Sequence, residues 1–477
     1  MVIKENKTNL IVKNVFLSIF AQLVSLCVSF LINLIVPRFI SEYQYAYWQT
    51  YILYVNYVGI LHFGLLDGIV LRYSQYDYED LDKSVIRSQF KILLGLTTTI
   101  SIITMIACGI WLKDIYRNVF WLVAIGMVTK NIVTYTSYSF QITNRINRYA
   151  TITIAQRVFF GIAVSTLLLF NVTDFYWFCI ADLCGDIVAI LLGALFNKGL
   201  YFGKSISIKE TIKETKTNIS SGFLLLIANW SSILLIGSAK MIVQWRWDEL
   251  VFGKVSFSFS VSNLFLTFVT AISVVLFPTL KRMEQDKLPS LYRSIRNTIS
   301  PVLFYAMLCY FPGCWILEKW LPAYQPSLVY LGILFPIIIY TSKVSLLTNN
   351  YLKAYRKEKA MLVINVVSVL VAFVLFALSA YVFNDLTMLL VCIVLVIMGR
   401  SIVSEIVVMK MINIKFVSDF VIEAIMTVLF ILCAKAFSLW VGFLIYFVCI
   451  VFYSIYYRNN LKAMLRQVFG KLKRAKA

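Results

Sequence analysis

The residues of this sequence that could do chemistry are charges in places where charge is costly. Lys130, Arg157, Asp182, Asp186, Lys254, Lys343, Arg400, Glu405 and Glu423 all fall inside long apolar runs, and Asp67 closes another. A charge at the bilayer centre costs ~2.5–3.5 kcal/mol on insertion scales, so it faces a partner or a wet cavity. The chemistry on offer is therefore ion pairing, ion coupling or the holding of a charged cargo. Asp182 and Asp186 are four residues apart and share one helix face. Counted at ~1.5 Å per residue, Lys130 and Asp186 lie level in their segments, so they can pair. Arg157, a little deeper, is placed to reach Asp186. Two readings stay open for this group: ion pairing that pins the helices, or a network lining a functional cavity.

Lys254 has no obvious partner in its own segment. It is either a lysine whose stem lies in apolar surroundings while its amine reaches the interface, or a cavity cation meeting an anionic head group. Lys343, Arg400, Glu405 and Glu423 balance in sign, which favours a structural network. His62, the one histidine of the sequence, reads as a buried, hydrogen-bonded residue before it reads as a proton relay. Pro336 is expected to kink its segment.

Several chemistries are excluded. One histidine rules out multi-histidine zinc sites and makes a histidine-based triad improbable on composition alone. The nine cysteines contain no CxxC and lie nearly all in apolar runs, as small core residues do. Gly199, Gly203, Lys204 and Ser205 make GxxxGKS, one residue short of a phosphate loop and without a preceding strand. No nucleotide site, metal site or resident cofactor is expected; coupling to H⁺ or Na⁺ is the remaining option, through Asp67 or the Asp182/Asp186 pair.

The elements that must position these residues are membrane spans. Of 477 residues, 60% are hydrophobic and 14% charged, against ~45–50% and ~25% in soluble domains. Apolar segments fall at 14–36, 46–66, 90–112, 118–141, 150–171, 174–197, 218–240, 250–278, 296–316, 327–350, 360–383, 386–409, 417–435 and 437–457. Each is long enough for a helix that crosses a bilayer. The expected fold class is all-α: a polytopic membrane bundle of about 14 transmembrane helices. The N-terminal basic stretch before the first segment lacks a cleavage pattern, so that segment is read as a retained span.

Charge orients the bundle. The N-terminus, the even-numbered loops and the C-terminus hold 32 Lys and Arg, and the odd-numbered loops hold 7. That bias predicts both termini on the cytoplasmic side. The net charge of +21 is thus mostly a topology device, with attraction to anionic membrane lipids as a by-product and no nucleic-acid role. Nine of the ten tryptophans, all but Trp230, fall near predicted outer ends, where amphipathic rings sit at the headgroup level. The outer loops are too short to hide an extracytoplasmic enzyme domain.

A faint internal duplication divides the chain. Tyr47-Trp48 follows Asn14 at nearly the distance at which Phe252-Gly253 follows Asn218. The expected organisation is an N-lobe over 1–200 with spans 1–6, and an amphipathic connector over 201–217 carrying Lys209, Glu210, Lys213, Glu214 and Lys216. A C-lobe over 218–416 follows, then two extra spans and a basic tail over 417–477. Parallel repeats of this kind occur in transporters, with the substrate site near midplane.

Several stretches carry a family likeness: Asn14-Val15-Phe16 running to Val36-Pro37-Arg38-Phe39-Ile40, Gly64-Leu65-Leu66-Asp67-Gly68-Ile69 continuing to Leu71-Arg72-Tyr73, Ala228-Asn229-Trp230 before Gly237, and Phe277-Pro278-Thr279-Leu280. On these the chain resembles the Wzx-type flippases of lipid-linked oligosaccharide repeat units. They form the polysaccharide-transport branch of the superfamily that also holds the MATE exporters and the lipid II flippases. The resemblance implies two six-helix lobes and alternating access without ATP in a bacterial cytoplasmic membrane. It implies an undecaprenyl-pyrophosphate-linked oligosaccharide as cargo for capsule or O-antigen synthesis, with a polymerase and assembly proteins as partners. It also implies cavity cations for the pyrophosphate. Spans 1 and 2 have none in their interiors, so Arg38 and Lys254 are the nearest equivalents, with Lys130 and Arg157 beside them. The competing expectation is a MATE-like, cation-coupled exporter of small molecules. The chain lacks an acidic residue within 14–36, where many such exporters carry one.

Overall fold

The computed structural model describes residues 20, 22–282, 285–414 and 417–458, the side chains of 268–282, 285, 417 and 418 excepted. Asn14-Val15-Phe16, the N-terminal lysines and the basic tail beyond residue 458 lie outside the described residues, as do the side chains of Phe277-Pro278-Thr279-Leu280. Among the described residues the structure is helical, with no strand.

Among the described residues, eleven helices are long and apolar enough to cross a membrane, and up to thirteen spans result if two bent pairs count as one each. The chain is a multi-pass membrane protein. In chain order, α1 is Gln22–Phe39, α2 Glu42–Val55, α3 Leu65–Tyr73, α4 Lys83–Trp111 and α5 Asp114–Ile142. Then come α6 Ile146–Leu169, α7 Phe175–Phe196, α8 Ile208–Arg246 and α9 Glu249–Arg282. The remainder are α10 Leu288–Ala306, α11 Tyr310–Trp320, α12 Gln325–Leu334, α13 Ile337–Lys343 and α14 Asn349–Ala354. Last are α15 Glu358–Ala377, α16 Leu386–Met411, α17 Val417–Ala436 and α18 Leu439–Tyr456.

Local chemistry explains where helices start. Ser41 accepts a hydrogen bond from Gln44 N before α2, Asp82 from Ser84 N and Val85 N before α4, and Asp385 from Met388 N before α16. Each satisfies amide donors that a helix start leaves open. The side chain of Ser84 also donates to Asp82, and these bonds hold the Asp82 carboxyl below its ordinary range.

Two spans are broken. The helices on either side of Pro336 meet at 45°, the kink expected of a proline that removes a donor and clashes with the preceding turn. The second break was not expected. The segment over 46–66 does not end at Asp67: α3 continues it after a 57° bend, and Asp67 sits buried in the first turn of α3. The stretch over 208–217, which the charge pattern sets apart as a connector, runs on without interruption into the rest of α8.

The chain forms two compact units. One comprises the residues up to Ile233 together with Asp248–Gly253; the other comprises Leu234–Trp247 and the chain from Lys254 onward. The first is organised around Leu65, Ile69, Leu93, Tyr135 and Tyr201. The second has an aromatic cluster in which Phe430 meets Tyr310, Phe311, Phe335 and Tyr446. Outward faces are apolar, as at Ile102, Ile103 and Ile106, which suits a surface solvated by lipid tails.

Candidate functional site

In the first unit, α2, α5, α6 and α7 bring one polar cluster together well inside the apolar segments. Lys130 on α5 lies 2.8 Å from Asp182 Oδ2 and 3.0 Å from Asp186 Oδ1, both on α7. The spacing of four residues puts both carboxylates on one side of α7, so one ammonium bridges them. Three further donors complete the group. Thr129 Oγ1 donates to Asp186 at 2.9 Å and Gln156 Nε2 at 2.7 Å. The Tyr51 hydroxyl donates to Asp182 at 2.9 Å.

The two carboxylates are not equivalent. The Asp186 side chain is fully buried and accepts from Lys130, Thr129 and Gln156, whereas the Asp182 side chain keeps 17% of its exposure and Lys130 keeps 24%. Asp186 is the fixed anchor and Asp182 the accessible member. The three charges sum to one negative charge, and the Lys130 ammonium is already engaged by both acids. Such a group answers to an added cation more readily than to an added anion.

Arg157 is not part of this cluster, although its depth suggested that it would reach Asp186. It lies on an exposed face of α6. A step of one residue turns ~100° around a helix, so the neighbouring Gln156 takes the inward place. The expected pairing of Lys130 with Asp186 is present; the amide partner and Tyr51 are additions that charge counting could not find.

In the second unit, a denser network is sealed in the core. Arg296 on α10 reaches Glu405 Oε2 at 2.8 Å and Glu423 Oε1 at 3.4 Å. Lys343 on α13 reaches Glu423 Oε2 at 2.5 Å and also pairs with Glu405 Oε1. Two cations and two carboxylates thus alternate in a closed ring contributed by α10, α13, α16 and α17. Their side chains are at most 2% exposed. Asp419, a turn before Glu423, accepts from Arg296 Nη1 at 2.5 Å.

The grouping of Lys343, Glu405 and Glu423 agrees with the sign balance of the sequence; Arg400 does not belong to it. Arg400 and Glu405 are five residues apart on α16, ~140° around the helix. Arg400 instead lines a groove of about 390 Å³ between α15 and α16 with Val363, Val367, Val371, Leu395 and Gly399. The cation that completes the ring, Arg296, was counted among loop charges because the apolar run begins only at 296. The helix begins at Leu288. Asp419 was likewise passed over at the edge of its segment, although it stands four residues before Glu423.

The remaining candidates stand apart. Arg38 is exposed at the end of α1 and Lys254 is half-buried on α9. Asp67 faces His62, with His62 Nε2 at 3.8 Å from Asp67 Oδ2 and both residues 4% exposed. Among the described residues no group of three His, Cys, Asp or Glu side chains is arranged to hold a metal ion.

No protein-family model and no curated protein matches the sequence. Solved structures do share its fold. The inward-closed structure of the lipid II flippase MurJ aligns over 94% of this chain and 100% of its own, with TM-score 0.65 and 12% identity. An inward-facing multidrug-resistance MATE transporter of the MOP superfamily aligns over 82% and 98%, with TM-score 0.61 and 13% identity. A MOP-superfamily transporter from Pyrococcus furiosus, described as having a binding pocket of reversed polarity, aligns over 84% and 96%, with TM-score 0.52 and 13% identity. The chain has a transporter fold of the MATE and MurJ type.

Proposed function

We propose that this protein is a flippase that carries a lipid-linked oligosaccharide, of the undecaprenyl-pyrophosphate class, from the cytoplasmic to the outer leaflet. The observation that supports it most is the extent of the structural likeness. The MurJ flippase accounts for 94% of the chain, against 82% for the MATE transporter.

In this reading the lipid tail stays in the bilayer while the sugars and pyrophosphate cross through a hydrated path. Lys and Arg side chains offset the desolvation of the phosphates. Lys130 is a poor choice for that task, because Asp182 and Asp186 already hold it. Arg157 faces away from the cluster. Arg38 and Lys254 are the cations that the family resemblance assigns to the pyrophosphate. The Lys130–Asp182–Asp186 group serves as the coupling site, with Asp182 exchanging H⁺ or Na⁺ and Asp186 keeping the geometry. With the cell interior negative, outward movement of anionic cargo gains ~2.3 kcal/mol per charge per 100 mV, so neither ATP nor a bound cofactor is needed. Capsule or O-antigen repeat units are the cargo class, and the polymerising enzymes would receive them.

The net negative charge of the first-unit cluster favours a second reading as well: a cation-coupled exporter of small molecules, like the MATE transporters of the same fold. Deleting the gene and weighing polyprenyl-linked lipids separates the two. Build-up of a completed repeat unit with loss of surface polysaccharide supports the flippase. Unchanged lipids and an intact coat, with a gain in sensitivity to toxic small molecules, support the exporter.

A further inference from the structure

The break in the second span carries a histidine contact at its turn. Phe63 and Gly64 are consecutive left-handed residues, with φ of 50° and 87°. Glycine adopts that conformation freely, but phenylalanine does not, so the surroundings must impose it. Gly64 N donates to the ring of His62 at Nδ1, 3.2 Å away. Gly64 O in turn accepts from Gly68 N at 2.8 Å and starts α3. On the other side, Asn131 Nδ2 donates to Val58 O at 3.0 Å.

The bend has a purpose in packing. A Cβ added to Gly68 would lie 1.9 Å from Asn218 O, and one added to Gly222 would lie 2.1 Å from Gly64 O. The backbones of α3 and the first half of α8 therefore touch directly, glycine against backbone. Below this crossing, Arg72 and Tyr73 of α3 bond to Glu214 of α8, and Arg72 to Asn218 at 2.5 Å.

We infer that His62 is a proton-operated latch on this break. An acceptor at Nδ1 needs a lone pair there, so the ring in this structure is neutral and carries its proton on Nε2, on the side of Asp67. A second proton can enter only at Nδ1. It would turn the acceptor into a donor facing the Gly64 N–H, and the bond between the ring and the first residue before α3 would be lost. Asp67 is the acid that faces Nε2, at 3.8 Å. Protonation thus releases Phe63 and Gly64 from the left-handed turn and frees α3 from its seat on α8. The pH sense follows directly: the latch is closed with His62 neutral and opens as pH falls.

Several titratable groups lie on the neighbouring elements. On α5, Tyr138 is within electrostatic reach of Asp67, and Lys130 is engaged by Asp182 and Asp186. On α4, Lys83 pairs with Glu79, Arg87 bonds to Gly199 O and Lys91 is exposed. On α8, Glu214 is taken by Arg72 and Tyr73, while Lys213 and Lys216 are exposed. His62 faces Asp67, and Tyr138 stands within reach of the same carboxyl.

The sequence offers a direct test, because it contains one histidine. The full-length protein in nanodiscs, labelled with ¹⁵N-histidine, gives a single imidazole whose protonation is read by NMR from about pH 8 to about pH 4. Hydrogen exchange of peptides covering 58–73 and 208–224 is followed over the same range, corrected for intrinsic rates. The expected result is conversion of the Nε2–H tautomer to imidazolium, with exchange in both peptides rising at least tenfold along the same curve. His62→Gln, which keeps an acceptor and never charges, should hold exchange low throughout, and Asp67→Asn should move the NMR midpoint to lower pH. A ring that protonates without any change in exchange overturns the latch, and so does one that stays neutral over the whole range. The wild-type measurements decide this even if a variant does not fold.

Discussion

The two charge clusters use the same side chains to opposite ends. In the second unit, Arg296, Glu405, Lys343 and Glu423 close a ring in which every charge has an opposite on each side and side-chain exposure is at most 2%. In the first unit, one lysine serves two carboxylates, and two of the three members keep about a fifth of their surface. With Asp419 counted, this network carries one net negative charge just as the first-unit cluster does, so what separates the two is sealing, and a sealed network depends on every member being present. A partly open group holds a charge that its surroundings can reach. The first is built to stay; the second is built to respond.

That contrast can be broken from the ring first. Arg296→Ala should have the largest effect. It leaves Glu405, Asp419 and Glu423 in a dry core with one cation, a loss of ~3–5 kcal/mol by comparison with other buried pairs. Thermal unfolding in detergent, or the yield of monodisperse protein, should show it. Protein that remains folded with unchanged transport would remove the distinction between the clusters.

Lys130→Met should act on function instead. Its site is partly exposed, and Thr129, Gln156 and Tyr51 still serve the carboxylates. Folding should survive while transport falls at least tenfold, read as cargo exported per unit of membrane protein. A variant that simply fails to fold would make the first-unit cluster another structural pin.

Tyr51→Phe sharpens the picture at smaller scale. It removes one hydrogen bond to Asp182, worth ~1.5–3 kcal/mol when the acceptor is charged. It should lower transport by less than Lys130→Met does, with little change in protein level. Arg157→Gln should do least. Its side chain faces away from the cluster, so transport and thermal stability should match the parent within error.

The reach of sequence reasoning follows the same physics. Spans, their long apolar faces and the pairing of Lys130 with Asp186 were legible, because hydropathy and depth depend only on counting along one helix. The membership of Glu405 and Glu423 with Lys343 followed from sign balance. What failed was the last turn of angular detail. Gln156 sits where Arg157 was expected because one residue is a large rotation. Arg296 was missed because its helix extends eight residues before its apolar run, where polar residues look like loop, and Asp419 because it stands in the first turn of its segment. The break at His62–Gly64 has no proline to announce it. The glycines at 64, 68 and 222 allow the close crossing, and their partners are far apart in sequence.

The account stands or falls on whether the open cluster works on a lipid-linked cargo. In a deletion strain complemented with either the wild-type protein or Lys130→Met at matched membrane levels, polyprenyl-linked lipids would be extracted and weighed. The account predicts that wild type clears the completed repeat unit and that Lys130→Met leaves it accumulated on the cytoplasmic leaflet. Equal clearance by both would contradict the role given to the cluster. Absence of any such lipid in the uncomplemented deletion would contradict the flippase reading itself.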